Sequence, residues 1–212
     1  MLKIIEVIRS GGLLMIPLGF LSVLALAVVM ERTVFFARLP WNRVEFENKL
    51  KELVRYEKIR EAMLWLRELQ GAPAATACAA LTQWGKGAEA IENAMVTVSH
   101  HESEKLNRYL AVLETTVTAS PLIGLLGTIT GMMGVFRAVS EKISHNPQAD
   151  TSGILAGIGE ALIATASGIL LAVVCLFFHN LFQGLAERQM DLPQSAINLM
   201  VALNEEETRG QS

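Results

Sequence analysis

One carboxyl group lies inside one of the most apolar stretches of this chain. Glu160 is the only charged residue between positions 154 and 178. A charged side chain at bilayer depth costs roughly 2.5–3.5 kcal/mol on insertion scales, so its presence there points to a function. Burial at that depth drives a carboxyl group towards its neutral form. A group that can exist in both protonation states is what a proton relay requires. Thr165 and Ser167 follow in the same run, and Thr128 lies midway along another apolar run. At ~100° per helical residue, Ala164 and Ser167 share the face of Glu160, while Thr165 lies about 140° round from it. Glu160 and Thr165 can therefore line one wide lumen or face two neighbouring subunits. A plainer account has Glu160 bonded to nearby backbone or hydroxyl groups and never titrating. Hydroxyls in apolar helices often bond back to their own i−4 carbonyl, which is the expectation for Thr115, Thr116, Thr118, Ser120 and Thr130. Glu114 lies near the end of its run, where a carboxylate reaches water. It is either simply solvated or marks a cytoplasmic exit.

What must hold these groups is a set of membrane helices. The chain has 212 residues, 51% hydrophobic and only 18% charged, with a mean hydropathy of +0.38. Its apolar residues fall in long runs and its charges between them, the layout of a membrane protein with a polar domain. A membrane helix needs about 20 mostly apolar residues, at roughly 1.5 Å each, to cross ~30 Å of hydrocarbon. Residues 13–30, 110–137 and 154–179 are the three expected spans. The first has a second reading. Lys3 and Arg9 precede Ala25-Leu26-Ala27, which resembles a signal-peptidase site, yet the apolar run continues to Met30 and meets Arg32, Arg38 and Arg43.

Lysine and arginine near the span ends set the orientation. Arg32, Arg38, Arg43, Lys49 and Lys51 follow the first span, and Lys105 and Arg108 precede the second. The opposite side carries Lys3, Arg9, Arg137 and Lys142. This places residues 1–12 outside as an amphipathic interfacial helix, 31–109 inside as a helical cytoplasmic domain, 138–153 outside as a loop, and 180–212 inside as a helix and tail. The expected fold is an all-α integral membrane protein with long helices extending from the membrane.

Within the inner domain, residues 42–70 alternate acid and base around Leu50, Leu53, Val54, Ile59, Met63, Leu64 and Leu66, the pattern of an amphipathic helix. Gly71-Ala72-Pro73 ends it. A second pattern begins near Ala88 and meets no Gly or Pro before Pro121. It predicts one helix from 88 to 139, about 78 Å long at ~1.5 Å per residue. Turn chemistry clusters at Asn146-Pro147 and at 150–153. In the tail, Pro193 is expected to interrupt the helix, and residues 204–212 to be disordered.

Small residues line the second and third spans. Gly124, Gly127, Gly131 and Gly134 fall on one helical face, and Gly157, Ala161, Ala164, Gly168 and Ala172 on another. Such stripes let membrane helices approach closely, because packing rather than the hydrophobic effect drives their association. Spans two and three are therefore expected to be protein-facing, and the Leu- and Val-rich first span to face membrane lipids.

Several function classes are disfavoured. A net charge of −3 offers no basic patch for nucleic acid. Cys78 and Cys175 stand far apart, and His100, His101, His145 and His179 form no ligand pattern, so no metal or other cofactor is expected. No nucleophile–base pair or phosphate loop suggests an enzyme.

Two segments resemble a known family. Residues 120–132, Ser-Pro-Leu-Ile-Gly-Leu-Leu-Gly-Thr-Ile-Thr-Gly-Met, and residues 157–168, Gly-Ile-Gly-Glu-Ala-Leu-Ile-Ala-Thr-Ala-Ser-Gly, are similar to the two signatures of the MotA/TolQ/ExbB proton channels, in the same order. The match is closer to ExbB and TolQ, with ExbB favoured, because MotA-type stators have four spans. The chain departs from the pattern at Thr130, where the family usually has an aromatic residue, and at Val174, where it usually has Pro. The resemblance implies a homopentamer with spans two and three around a pore. That pore would hold an ExbD/TolR-like single-span partner with a membrane Asp. Proton motive force would power work passed on by a TonB/TolA-like protein in the bacterial inner membrane. By position, Thr128, Glu160 and Thr165 take the places of pore-lining polar residues. The rival reading is a scaffold ring whose partner alone carries the protons.

Overall fold

The computed structural model describes residues 11–39, 43–55, 58–69, 71–145 and 152–210, and the regular structure among them is entirely α-helical. In chain order the helices are α1 (Met15–Ala37), α2 (Arg43–Arg55), α3 (Ile59–Glu68), α4 (Ala72–Thr82), α5 (Ala88–Asn107), α6 (Leu110–His145) and α7 (Ser152–Gly210). Two compact units divide them. One holds the chain up to Glu31 together with Tyr109–Asn180, and the other Arg32–Arg108 with Leu181–Ser212.

The first unit is built on the apolar runs. Among the described residues three stretches are long and apolar enough to cross a membrane: Met15–Ala37, Leu110–Ser140 and Leu155–Met190. Each is longer than the run that predicted it, because helical geometry carries on into polar sequence once nucleated. Helix α6 continues to His145 and α7 begins at Ser152, so most of the expected 138–153 loop is helix. Asn146-Pro147 and Asp150-Thr151 lie outside the described residues, as does the interfacial helix expected before Gly11. Large apolar side chains cover the outside of all three helices, among them Phe20, Val23, Leu122, Phe136, Leu162 and Phe177. A continuous exposed apolar surface of that kind suits contact with lipid or with other apolar helices.

The single helix expected from 88 to 139 is two. Helix α5 stops at Asn107, Arg108 turns to ψ 136° and Tyr109 takes φ 65°. No Gly or Pro announces this break, and a non-glycine residue in the left-handed region costs about 1–2 kcal/mol. The last carbonyls of a helix lack helical donors, and here Arg32 supplies them. Its Nη1 donates to the carbonyls of Lys105 and Leu106, both at 3.1 Å. The guanidinium also lies over the Phe35 ring, 4.7 Å from its centre, and the residue is 2% exposed. Charge-assisted hydrogen bonds of about 1.5–3 kcal/mol each offset the strain at Tyr109.

The second unit is a helical bundle around Phe46, Leu50, Val54, Ala62, Leu66, Ala77, Leu81, Ile91, Met95 and Met200. Residues 42–70, expected as one helix, form α2 and α3 with Lys58 at φ −86°, ψ 44° between them. The predicted division holds at Leu50, Val54 and Leu66, which are buried, but not at Leu64, which is 59% exposed. Helix α4 was not foreseen, because its Ala-rich sequence carries no apolar period. Gly71, at φ 119°, leads into it, and Pro73 lies in its first turn, where a missing N–H costs nothing. Its Ala74, Ala77 and Ala80 are buried, and their small size lets the neighbouring helices approach.

The tail also differs from expectation. Helix α7 runs through Pro193 to Gly210. Proline removes one helical donor and crowds a carbonyl, but packing grips the helix on both sides of it. Ala186 and Met190 lie against Phe35, Phe36 and Leu39, and Met200 and Val201 join the main core. Farther along, buried Asn204 accepts the backbone N–H of Gly85 at its Oδ1, 3.1 Å away.

Candidate functional site

The site grows from the absence of side chains. On α6, a Cβ added at Gly131 would lie 2.8 Å from Ala161 Cβ and 2.9 Å from the Gly157 carbonyl of α7. One at Gly127 would lie 2.6 Å from Ala164 Cβ, and one at Gly124 3.0 Å from Thr165 Cα. On α7, Gly157 meets Val135 and Gly168 meets the carbonyl of Ser120 in the same way. Backbone therefore packs on backbone. Gly134 is different: among the described residues nothing lies within 4 Å of its Cβ position. Together with Gly127 and Gly131 it lines a cavity of about 450 Å³, whose other walls are Gly11, Leu13, Leu14, Thr130, Ala156, Gly157 and Glu160.

Glu160 enters this cavity from α7. Its carboxylate packs against Gly12, so that a Cβ at Gly12 would fall on Oε1. Gly12 has φ 70°, which suits glycine. The carboxyl is thus level with the residues that open α1, near one end of the three-helix unit and not at its middle. Thr165 lies five residues further on, about 7.5 Å along the axis at ~1.5 Å per residue.

The hydroxyls separate. Thr130, not Thr128, shares the cavity with Glu160. Thr128 lies in a shallower groove of about 320 Å³ with Ile129, Met132, Met133 and Phe136. Thr165 donates to the Gly124 carbonyl of α6 at 2.8 Å, which turns its hydroxyl towards span two. Ser167 is half-buried, whereas Glu114 and Glu160 are exposed, so the burial expected of Glu160 is not met within a single copy of the chain. The remaining hydroxyls bond back to their own helix. Thr115, Thr116 and Ser120 use the i−4 carbonyl, Thr128 uses Leu125, and Thr130 uses both Leu126 and Gly127. Among the described residues no group of three His, Cys, Asp or Glu gathers to hold a metal ion.

Reading from residue types missed Gly11, Gly12, Leu14 and Thr130. Two signals were available: a Gly-Gly pair, the usual punctuation of a turn, directly before the first apolar run, and the small hydroxyl residue at position 130 where the family pattern has an aromatic one.

Comparison with known proteins agrees with the motifs. The sequence model of the MotA/TolQ/ExbB proton channel family matches residues 66–194. A biopolymer transport protein of Synechocystis sp. described as ExbB-like 3 is 32% identical over 186 residues, 87% of this chain and 87% of that one. The Tol-Pal system protein TolQ of Pseudomonas aeruginosa is 36% identical over 99 residues, covering 47% of this chain and 41% of its own length. The biopolymer transport protein ExbB of Xanthomonas campestris is 33% identical over 94 residues, 44% of this chain and 36% of that protein. With three membrane-length helices, a carboxyl group held in a glycine-lined cavity and relatives of this kind, the chain belongs to the MotA/TolQ/ExbB proton channel family, on its ExbB and TolQ side.

Proposed function

We propose that this protein is the channel subunit of an inner-membrane motor that uses the proton motive force to power work at the outer membrane. The observation that carries the reading is Glu160, a lone carboxyl in an apolar helix that opens into a cavity large enough for water beside Thr130. No Lys or Arg lies between Ser144 and Leu185, so this part of the chain supplies no cation to pair with the carboxylate. Each proton crossing gains about 2.3 kcal/mol per 100 mV of membrane potential. In this reading Thr128, Thr165 and Ser167 contribute polar surface along the pathway, and Glu114 marks its cytoplasmic end.

The unit works as a homopentamer. The apolar flank of α1 faces lipid, and α6 and α7 face neighbouring copies and a pore. The pore takes an ExbD/TolR-like single-span partner bearing a membrane Asp, and a TonB/TolA-like protein carries the work onward. The N-terminus is periplasmic and residues 31–109 and 180–212 are cytoplasmic.

The test is Glu160→Gln in the chain reconstituted with its single-span partner. Glutamine keeps the shape and the hydrogen bonds and removes the proton site. Proton flux into vesicles should be lost while the complex still assembles. Full flux in this variant would favour the scaffold reading, with the partner's Asp and water carrying the protons alone.

A further inference from the structure

We propose that Gly12 is a positioning residue for the Glu160 carboxylate, and that the Gly11-Gly12 turn at the head of span one forms the seat from which that group exchanges its proton. The inference rests on the reading of Glu160 as the proton-carrying group.

The two glycines meet different neighbours, and Gly12 alone of the two has a φ that favours glycine. A Cβ on Gly11 would lie 2.7 Å from Met15 Sδ and 3.2 Å from Ile163 Cγ2, so the turn is pressed against both α1 and α7. Gly12 takes φ 70°, and the space its side chain would need is filled by the carboxylate itself. The turn is anchored from behind. Met15 N–H donates to the Gly12 carbonyl at 3.1 Å and Ile16 N–H to the Leu13 carbonyl at 3.2 Å, the opening bonds of α1. Gly12 thus sits at a fixed point, and the carboxylate fits against it.

Thr130, which lines the same cavity, completes the arrangement. Thr130 spends its one proton on the carbonyls of Leu126 and Gly127, at 3.0 and 3.1 Å. What its oxygen has left to offer the cavity is acceptance. A carboxyl seated on Gly12 thus shares a glycine-lined space with an acceptor. Moving the seat by the width of a methyl group displaces the carboxyl relative to that acceptor, and small displacements of a reacting group are costly.

The experiment compares Gly12→Ala, Glu160→Asp, the double variant and Gly85→Ala in the full chain reconstituted with its single-span partner. Gly85 has φ 81° and open space around its Cβ position, so it reports backbone strain without a clash. Two readouts are taken: proton flux, and the rate at which dicyclohexylcarbodiimide, which attacks protonated carboxyls in apolar sites, modifies Glu160. Gly12→Ala should alter the labelling rate several-fold and lower flux by about tenfold. Gly85→Ala should change neither. The double variant, with its carboxyl drawn back by one methylene, should recover part of both. Gly12→Ala that labels and conducts like wild type overturns the proposal. If Gly12→Ala prevents assembly, the background Glu160→Ala decides. Recovery of assembly there supports the contact, whereas continued failure assigns Gly12 to backbone conformation alone. Labelling of Glu160 is read without reference to flux, so full flux in Glu160→Gln would end the relay reading and leave the seat still measurable.

Discussion

The Thr165 hydroxyl on α7 donates to the Gly124 carbonyl on α6 at 2.8 Å, at a point where Gly124 has no side chain to hold the helices apart. Hydrogen bonds between membrane helices average about 0.6 kcal/mol. Thr165→Val, which keeps the shape and removes the donor, should destabilise the folded chain by roughly 0.5–1 kcal/mol. Thr165→Ser should retain most of the stability. Denaturation in detergent measures both, and an unchanged Val variant would remove the bond's structural role.

The glycines of α6 are not equivalent. Gly131→Leu and Gly127→Leu force a side chain into Ala161 and Ala164 and should disrupt the chain's own packing as well as its assembly. Gly134→Ala meets nothing within 4 Å and should leave the monomer fold intact. Native mass spectrometry of the extracted protein, with helical content by circular dichroism, separates these outcomes. Intact oligomers in the leucine variants would show that the close approach is dispensable.

Arg32 holds the end of α5 through two carbonyls. Arg32→Ala should cost about 2–4 kcal/mol and expose the Lys105 to Tyr109 segment to hydrogen exchange. Arg32→Lys should recover only part, because an ammonium cannot copy the flat guanidinium that lies over the Phe35 ring. Exchange in that segment equal to wild type would mean that water caps the helix equally well.

The proposed orientation places Lys58 and Lys86, both exposed, in the cytoplasm and residue 148 outside. Cysteines introduced at 58 and 86 should resist membrane-impermeant thiol reagents in intact cells, and one at 148 should react. The reverse pattern would invert the topology.

Which features were legible in the sequence follows from the range of the forces involved. The three membrane-length helices were visible because each holds a long apolar run, a property summed over about 20 residues. The stripe of Gly124, Gly127 and Gly131 was visible because helical periodicity is local. The break at Tyr109 was not, since its cause is a guanidinium 73 positions away in sequence from Lys105. Helix α4 was hidden because Ala-rich sequence gives no amphipathic signal, and its burial comes from partners. The site was half legible. Glu160 declared itself by its charge, whereas Gly12 and Thr130 became its neighbours only through tertiary packing.

The close approach at Gly131 also limits how this chain can change. Every amino acid reachable from a glycine codon by one base change is larger than glycine, and the smallest is alanine. Even alanine would bring a Cβ to 2.8 Å from that of Ala161. Positions 127, 131 and 157 therefore have no neutral single-step neighbours in sequence space. Among the described residues nothing lies within 4 Å of a Cβ at Gly134 or Gly159, so packing within one copy does not restrict them in this way. Drift among descendants should pass around the first set, so the helix contact acts as a brake on divergence in this segment.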